Sequence, residues 1–221
     1  MENMKNLASS ILDQATRAGA TAAEVYLRRG AETEIEVRDG QVETLQQGRP
    51  QSVGLRLWRG DRSASTYSTD WSRDALARLI GDTLDLAALT DPVPELAIAP
   101  AAELVREVPA LDLFDGALAQ LSADQKLTWL REAEEAGRAH DSRITVSGGA
   151  GFSDVMYEHV LATSNGLLVG HRETFASIGV QLLAGDAEGK KRPGSWASVS
   201  RHLSRRQAGE PDRRRAVLAD R

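Results

Sequence analysis

The chain has few of the nitrogen and sulfur side chains that bind a zinc ion. Its four histidines are dispersed and it contains no cysteine. No histidine pair has the His-Glu-x-x-His spacing, which turns two imidazoles on a helix toward one zinc ion. His171 stands beside Arg172 and Glu173 in a predicted strand, where neighbouring side chains point to opposite faces. We therefore predict no metal site and expect His171 on the surface. The other histidines are His140, His159 and His202.

Nucleophile and phosphate-binding motifs are also missing from the sequence. No Gly-x-Ser-x-Gly is present to form a nucleophile elbow, and Ser52 and Ser147 both lie in predicted strands. The glycine-rich run 148–151 does not complete Gly-x-Gly-x-x-Gly, because Asp154 occupies the last position. We predict that this run interrupts a strand or forms a bulge. The sequence thus predicts no catalytic, cofactor-binding or metal-binding residue.

Other polar and aromatic residues have simpler interpretations. Glu34 and Glu36 project from one face of a predicted strand and are expected to be solvated. The dispersed aromatic residues are expected to pack in a core or an interface. These aromatic residues are Tyr67, Trp71, Trp129 and Trp196. We find no constellation among them that performs chemistry by itself.

Composition is typical of a water-soluble protein with a true core. The chain has 221 residues, 41% of them hydrophobic, with a net charge of −5. Nucleic acid is not an expected partner of such an acidic chain. No run reaches the roughly 18 apolar residues of a membrane helix, and residues 1–12 lack a signal-peptide core. We expect a cytoplasmic protein that binds neither nucleic acid nor membrane.

One sequence pattern occurs twice. Ser52–Asp61 and Ser177–Asp186 share Ser-(Val/Ile)-Gly-(Leu/Val)-x-Leu-x-x-Gly-Asp at an offset of 125 residues. A hairpin signal precedes each copy, Asp39-Gly40 in the first and Asn165-Gly166 in the second. An amphipathic segment ending in Ala-Gly precedes each hairpin. We predict an α+β fold, in which duplicated units of a helix and an antiparallel hairpin form mixed or antiparallel sheets flanked by helices.

Composition also divides the chain into segments. We predict a first segment over 1–90, a Pro/Ala-rich connector over 91–112 and a second segment over 113–200. Residues 201–221 carry seven arginines against three acidic residues and show almost no apolar periodicity. We expect this tail to be disordered.

Several stretches resemble one known family, the TldD/PmbA (TldE) proteins. In the first segment these are Glu34–Glu43 and Ser52–Arg56. In the second segment they are Ala162–Gly166, Arg172–Thr174 and Ser177–Val180. The resemblance covers roughly residues 5–200 and rests on many weak positions rather than on one diagnostic motif.

The resemblance implies a function. The family was named for modulation of DNA gyrase and for maturation of a peptide antibiotic, and its members form a two-subunit metalloprotease. One subunit carries His-Glu-x-x-x-His and a distant cysteine as zinc ligands, and the other lacks them. This chain has no His-Glu pair and no cysteine, so no ligand carries over. Either it belongs to the metal-free PmbA/TldE side, which we favour, or the region that bears such ligands is missing. The family's third, C-terminal segment is absent in either case.

We therefore expect the N-terminal portion of a PmbA/TldE-like subunit, without a metal site of its own. Zinc is expected only in its partner, a metal-bearing TldD-like homologue with which it forms a heterodimer. The expected substrate is an extended, unfolded peptide that adds to an exposed strand edge. One alternative is a non-proteolytic binding or scaffold module. Another is a truncated, non-functional fragment, whose open strands would lower its solubility.

Overall fold

The described part of the chain combines helices with a large amount of strand. The computed structural model describes residues 1–105, 108–186 and 188–203, which form three α-helices and seven β-strands. The helices are α1 (Glu2–Arg17), α2 (Arg73–Leu89) and α3 (Ala123–Ala139). The strands are β1 (Ala22–Arg38), β2 (Gln41–Gly48), β3 (Gln51–Arg59), β4 (Arg62–Ser68), β5 (Ile144–Thr163), β6 (Leu168–Gly185) and β7 (Lys191–Ser200). The predicted α+β class is confirmed.

The helices begin and end where local sequence signals place them. Gly19 follows α1 with a φ of 104°, a conformation that glycine adopts without steric cost. Ser72 caps α2 by accepting a hydrogen bond from the backbone N–H of Ala75. Ser122 and Gln125 form a capping box at the start of α3. No helix among the described residues is long and apolar enough to cross a membrane.

Strand turns were predicted better than strand continuity. Asp39 and Gly40 have φ of 52° and 73°, as a type I′ turn between β1 and β2 requires. β1 runs without a break from Ala22 to Arg38. The run 148–151 does not interrupt β5, which continues through it, and Gly149 alone in the run has a positive φ, 110°. The alternative of a bulge stays a prediction.

The chain divides into two compact units. Unit 1 comprises Met1–Gly30, Arg49–Asp112 and Tyr157–Arg172. Unit 2 comprises Ala31–Gly48, Leu113–Met156 and Glu173–Arg221, of which 204–221 lie outside the described residues. β1, β5 and β6 each contribute one end to each unit. The predicted segment boundaries stay a prediction, and the expected disorder of the tail falls mostly outside the described residues.

Each unit has its own apolar core. In unit 1, α1 and α2 cover the face of β1, β3 and β5 that carries Val25, Leu55 and Val160. In unit 2, α3 supplies Leu130 to a core with Ile35 and Phe152. Because strand side chains alternate in direction, the residues between these core positions point to the opposite face of the strands.

The two units share one strand plan. Neighbouring strands follow the order β4-β3-β1-β5-β6 in unit 1 and β7-β6-β5-β1-β2 in unit 2. The repeated Ser-(Val/Ile)-Gly motif lies in β3 and β6, and the Gly-Asp turn after it leads to β4 and β7 respectively. The copies differ at Arg49-Pro50. These two residues separate β2 from β3, whereas the equivalent strand of the second copy, β6, is continuous. This common order agrees with the duplication read from the sequence.

Candidate functional site

A cavity of about 410 Å³ lies in unit 2. Glu36 and Arg38 line it, and they alternate with the buried Ile35 and Val37, so they point away from the core that α3 covers. Glu43 lies beside them and pairs with Arg38 at 3.2 Å. The remaining lining comes from Val37 and from 148–151, 179–181 and 195–197. Its charged groups are thus two carboxylates and one guanidinium.

The glycines of this cavity allow strands to approach each other closely. A Cβ on Gly148 would lie 3.1 Å from the carbonyl oxygen of Gln181, and one on Gly149 would lie 3.2 Å from that of Val37. The N–H of Gly149 donates to Ser147 Oγ at 3.0 Å. An N–H that already donates within the chain is not available to a phosphate. The glycine run therefore serves packing, in line with the rejection of a phosphate loop from sequence.

A row of rings crosses the strands of unit 1. Gly54 of β3 pairs with Tyr67 of β4 on one side and with Tyr26 of β1 on the other. Tyr26 Oη lies 2.6 Å from Nδ1 of His159 on β5, and the His159 ring stacks on His171 of β6 with centroids 4.6 Å apart. The rings of Tyr67, Tyr26, His159 and His171 form the aromatic row, in which Gly54 separates the two tyrosines.

The aromatic row was missed as a cluster in the sequence. Tyr67 was expected in a core or an interface; at 80% exposed it lies outside the core, and the interface stays a prediction. His171 is exposed as predicted, whereas His159 is only 7% exposed. A signal was present in the sequence, because both histidines are six residues from Asn165 in the predicted turn. Equal distances from a turn place two residues opposite each other in a hairpin.

The two stacked histidines do not fit a catalytic zinc site. Their ring planes are only 12° apart, so the nitrogen lone pairs run nearly parallel instead of converging on one point. Nδ1 of His159 is also engaged by Tyr26. Within the described ranges, no group of three or more His, Cys, Asp or Glu side chains is placed to hold a metal ion. Catalytic zinc sites use about three protein ligands and one open position.

The other residues considered from sequence are dispersed. Glu34 and Glu36 are exposed, as predicted. Trp71 packs against the unit 1 core and Trp129 against the unit 2 core, in agreement with the packing role expected for them. Trp196 is half-buried in β7. Ser52 is half-buried opposite Arg28, and Ser147 is buried.

Buried charges in unit 2 were not foreseen. Lys126 of α3 is 4% exposed and forms an ion pair with Asp154 at 2.5 Å. Its Nζ also donates to Thr33 Oγ1 at 3.2 Å. Glu134, from the same helix, is 3% exposed and accepts the backbone N–H groups of Asp39 and Gly40 at 2.8 and 2.9 Å. Each buried charge is paired, as burial requires, so these contacts hold α3 in place.

One carboxylate in unit 1 has a shifted pKa. Burial would raise the pKa of Glu158, but hydrogen bonds from Arg29 and from the amino group of Met1 outweigh it and hold the pKa below 4.5. Arg29 Nη2 lies 2.7 Å from Glu158 Oε2, and the amino nitrogen lies 3.2 Å from Oε1. The carboxylate is therefore ionised at neutral pH and joins β5 to β1 and to the start of α1.

Two family models match most of the chain. Residues 23–87 match the family model described as PmbA/TldA metallopeptidase domain 1. Residues 116–219 match the PmbA/TldA metallopeptidase central domain. The chain belongs to the TldD/PmbA family. The resemblance seen in the sequence is confirmed.

Curated members of the TldD/PmbA family are longer than this chain. The metalloprotease PmbA of Escherichia coli O157:H7 is 31% identical over 169 residues, which cover 75% of this chain and 37% of that protein. The metalloprotease PmbA homolog of Haemophilus influenzae is 23% identical over 184 residues, covering 83% and 40% respectively. The chain thus spans about two fifths of the length of these relatives.

Solved structures share the fold. A proposed modulator of DNA gyrase from Bacteroides thetaiotaomicron superposes with a TM-score of 0.83 at 23% identity, covering 92% of this chain and 46% of that one. TldE from Thermococcus kodakarensis gives a TM-score of 0.75 at 15% identity, covering 88% and 43%. At these identities the likeness establishes the fold alone.

Proposed function

We propose that this chain forms the first two segments of a PmbA/TldE-like subunit in a cytoplasmic metalloprotease complex of the TldD/TldE type. In this role it holds an extended, unfolded peptide for a TldD-like homologue that carries the zinc ion. The chain itself contributes no metal ligand and hydrolyses nothing alone.

The observation that carries the proposal is the match to both family segments in a chain without the family's zinc ligands. The sequence contains neither a His-Glu pair nor a cysteine. The two histidines that do come together are stacked in parallel, and one is engaged by Tyr26. In the proposed role, the chain contributes to proteolysis by positioning substrate for another subunit. Its strands support this role, because their edges can pair with an extended peptide.

Co-purification and a peptidase assay test the proposal together. The tagged chain is co-expressed with the TldD-like homologue from the same genome, and the complex is assayed on an unfolded peptide substrate. We expect the homologue to co-purify, and we expect cleavage only when both chains and zinc are present. A homologue with its first motif histidine changed to Ala provides the matched control, since it should bind this chain without cleaving.

Three results would contradict the proposal. Zinc-dependent cleavage by this chain alone would show that it has its own metal site. Failure of the homologue to co-purify would show that the two chains do not form a complex. A complex that forms but cleaves no peptide would favour the alternative, a binding or scaffold module without proteolysis.

A further inference from the structure

β2 is an open edge of unit 2. Among the described residues, β2 pairs only with β1, so its other edge has no strand partner. Seven of its eight residues are exposed, and only Thr44 is half-buried. Alternate residues of an edge strand present unpaired N–H and C=O groups, which another extended backbone can pair with.

β2 has only part of the usual protection of an edge strand. A register shift against β1 leaves Glu43 outside the paired positions, but β2 holds no Lys and no Pro, two residues that block pairing at natural edges. Val42 and Leu45 are 43% and 47% exposed. By contrast β7, the other outer strand of unit 2, begins with Lys191, Arg192 and Pro193. The open backbone of β2 is therefore the more accessible edge of unit 2.

Acidic side chains accompany this edge along β1. Glu32, Glu34 and Glu36 alternate along β1 and share one face, and we call them the acidic stripe. Glu34 lies opposite Gln46 of β2, and Glu36 lies opposite Thr44, whose Oγ1 donates to Glu36 Oε2 at 3.2 Å. In the described ranges neither Glu34 nor Glu36 forms an ion pair with a cation. The edge thus carries the negative charges of Glu34 and Glu36 on one face, next to the Arg38–Glu43 ion pair.

We propose that β2 accepts an extended polypeptide with Lys or Arg at alternate positions as an additional strand. The choice of a polypeptide occupant rests on the proposed function, and the preference for basic residues rests on the acidic stripe. A strand added to β2 would run about 9.5 Å from β1, two strand spacings away. The four-carbon stem of a lysine reaches back across β2, which brings its ammonium to the carboxylates of Glu34 and Glu36.

A second copy of this chain is a poorer occupant. The β2 strand of a second copy carries Glu43 and no Lys or Arg, so it offers the acidic stripe no cation to pair with. The stripe thus favours a basic segment at this edge over a second copy.

The test is a binding measurement on the full chain with a fluorescent peptide in which Lys alternates with Val. A peptide in which Glu replaces each Lys is the ligand control. The variant combines Glu34→Gln with Glu36→Gln, and its matched control combines Glu132→Gln with Glu135→Gln on the exposed face of α3. Hydrogen exchange of the protein, with and without peptide, locates the contact.

We expect the Lys peptide to bind and the Glu peptide not to bind. Loss of two exposed ion pairs should weaken binding about 3- to 10-fold in the stripe variant, and little in the control variant. Added salt should weaken binding to the unaltered protein. Peptide should slow amide exchange in β2 and leave β4, the outer strand of unit 1, unchanged.

The inference is overturned if the two peptides bind alike, if both double variants behave alike, or if the protected amides lie outside β2. Protection of β2 that grows with protein concentration and without peptide would identify a second copy as the occupant and overturn it too. These results are separable from the proposed function. The TldD-like homologue can co-purify and cleave its substrate even if the Lys peptide does not bind at β2. Conversely, β2 can bind the Lys peptide even if no such complex forms.

Discussion

At the scale of single residues, the buried and half-buried charges are connected across long stretches of sequence. Glu158 contacts Arg29 and the amino group of Met1, which are more than a hundred positions away. Lys126 meets Asp154 and Thr33 under α3. Each of these side chains would be costly to bury alone, so each depends on a partner that only the folded chain supplies.

Glu158 predicts a pH dependence of stability. Its pKa in the folded chain lies below 4.5, so the stability it contributes is fully present above that value. That contribution is lost as the pH falls through the folded pKa, because the unfolded chain then binds more protons. Glu158→Gln should therefore be less stable than the unaltered protein near pH 7, and the difference should shrink as the pH falls through the folded pKa of Glu158.

Urea unfolding across this pH range measures the effect, with Glu132→Gln on the exposed surface of α3 as the control. A difference that stayed constant with pH would show that Glu158 contributes by packing and not by its charge.

At the scale of elements, α3 is fixed to the β1–β2 hairpin through Glu134. The turn at Asp39-Gly40 leaves two N–H groups pointing out of the hairpin, and both donate to the Glu134 carboxylate. Arg138, one helical turn later, pairs with Asp39 and lies 3.8 Å from Glu134. Helix α3 therefore contacts the turn directly through polar groups, in addition to the apolar contacts made by Leu130.

Glu134→Gln is expected to destabilise the protein by about 2 kcal/mol, because one buried hydrogen bond to a charged acceptor is replaced by an opposing amide. Glu135→Gln is the matched control, because Glu135 is exposed beside Glu134 and its replacement changes the charge by the same amount. The free energy of unfolding in urea provides the comparison. Equal values for the two variants would mean that the turn does not depend on the helix.

At the scale of the whole molecule, the two units share one strand plan and differ in detail. Unit 1 covers its strands with two helices, α1 and α2, whereas α3 is the long helix of unit 2. The repeated motif places Gly54 in β3 and Gly179 in β6. Around Gly54 the nearest atoms to an added Cβ belong to Tyr26 at 3.9 Å, while around Gly179 the carbonyl oxygen of Trp196 is at 3.2 Å.

These equivalent glycines should respond differently to substitution. Gly54→Ala makes only ordinary contacts and reduces the entropy of the unfolded chain, so we expect a gain in stability of about 0.5 kcal/mol. Gly179→Ala must push a backbone carbonyl aside, and we expect a loss of about 1 kcal/mol. Thermal and urea unfolding of both variants decide this. The same response at both sites would contradict the divergence of the two copies.

Much of the fold could be predicted from short-range signals in the sequence. The Ser122 capping box, the Asp39-Gly40 turn and the glycine after α1 act within a few residues, so their effect can be read from their neighbours alone. The repeated Ser-x-Gly motif likewise revealed the duplication, and the match to the family followed from the same stretches. The failed interruption at 148–151 shows the limit of this reasoning, because neighbouring strands decide whether a glycine run continues a strand.

What the sequence alone determined is therefore the α+β class, the turns and caps, the family and the lack of its zinc ligands. Only the tertiary structure decided that Tyr26, His159 and His171 meet in one row and that Lys126 and Glu134 are buried with partners. It also decided that, among the described residues, β2 pairs with β1 alone and lies beside the acidic stripe. The physical reason is the range of the interactions. Caps and turns are set by adjacent residues, whereas burial and strand order depend on contacts between residues far apart in the chain.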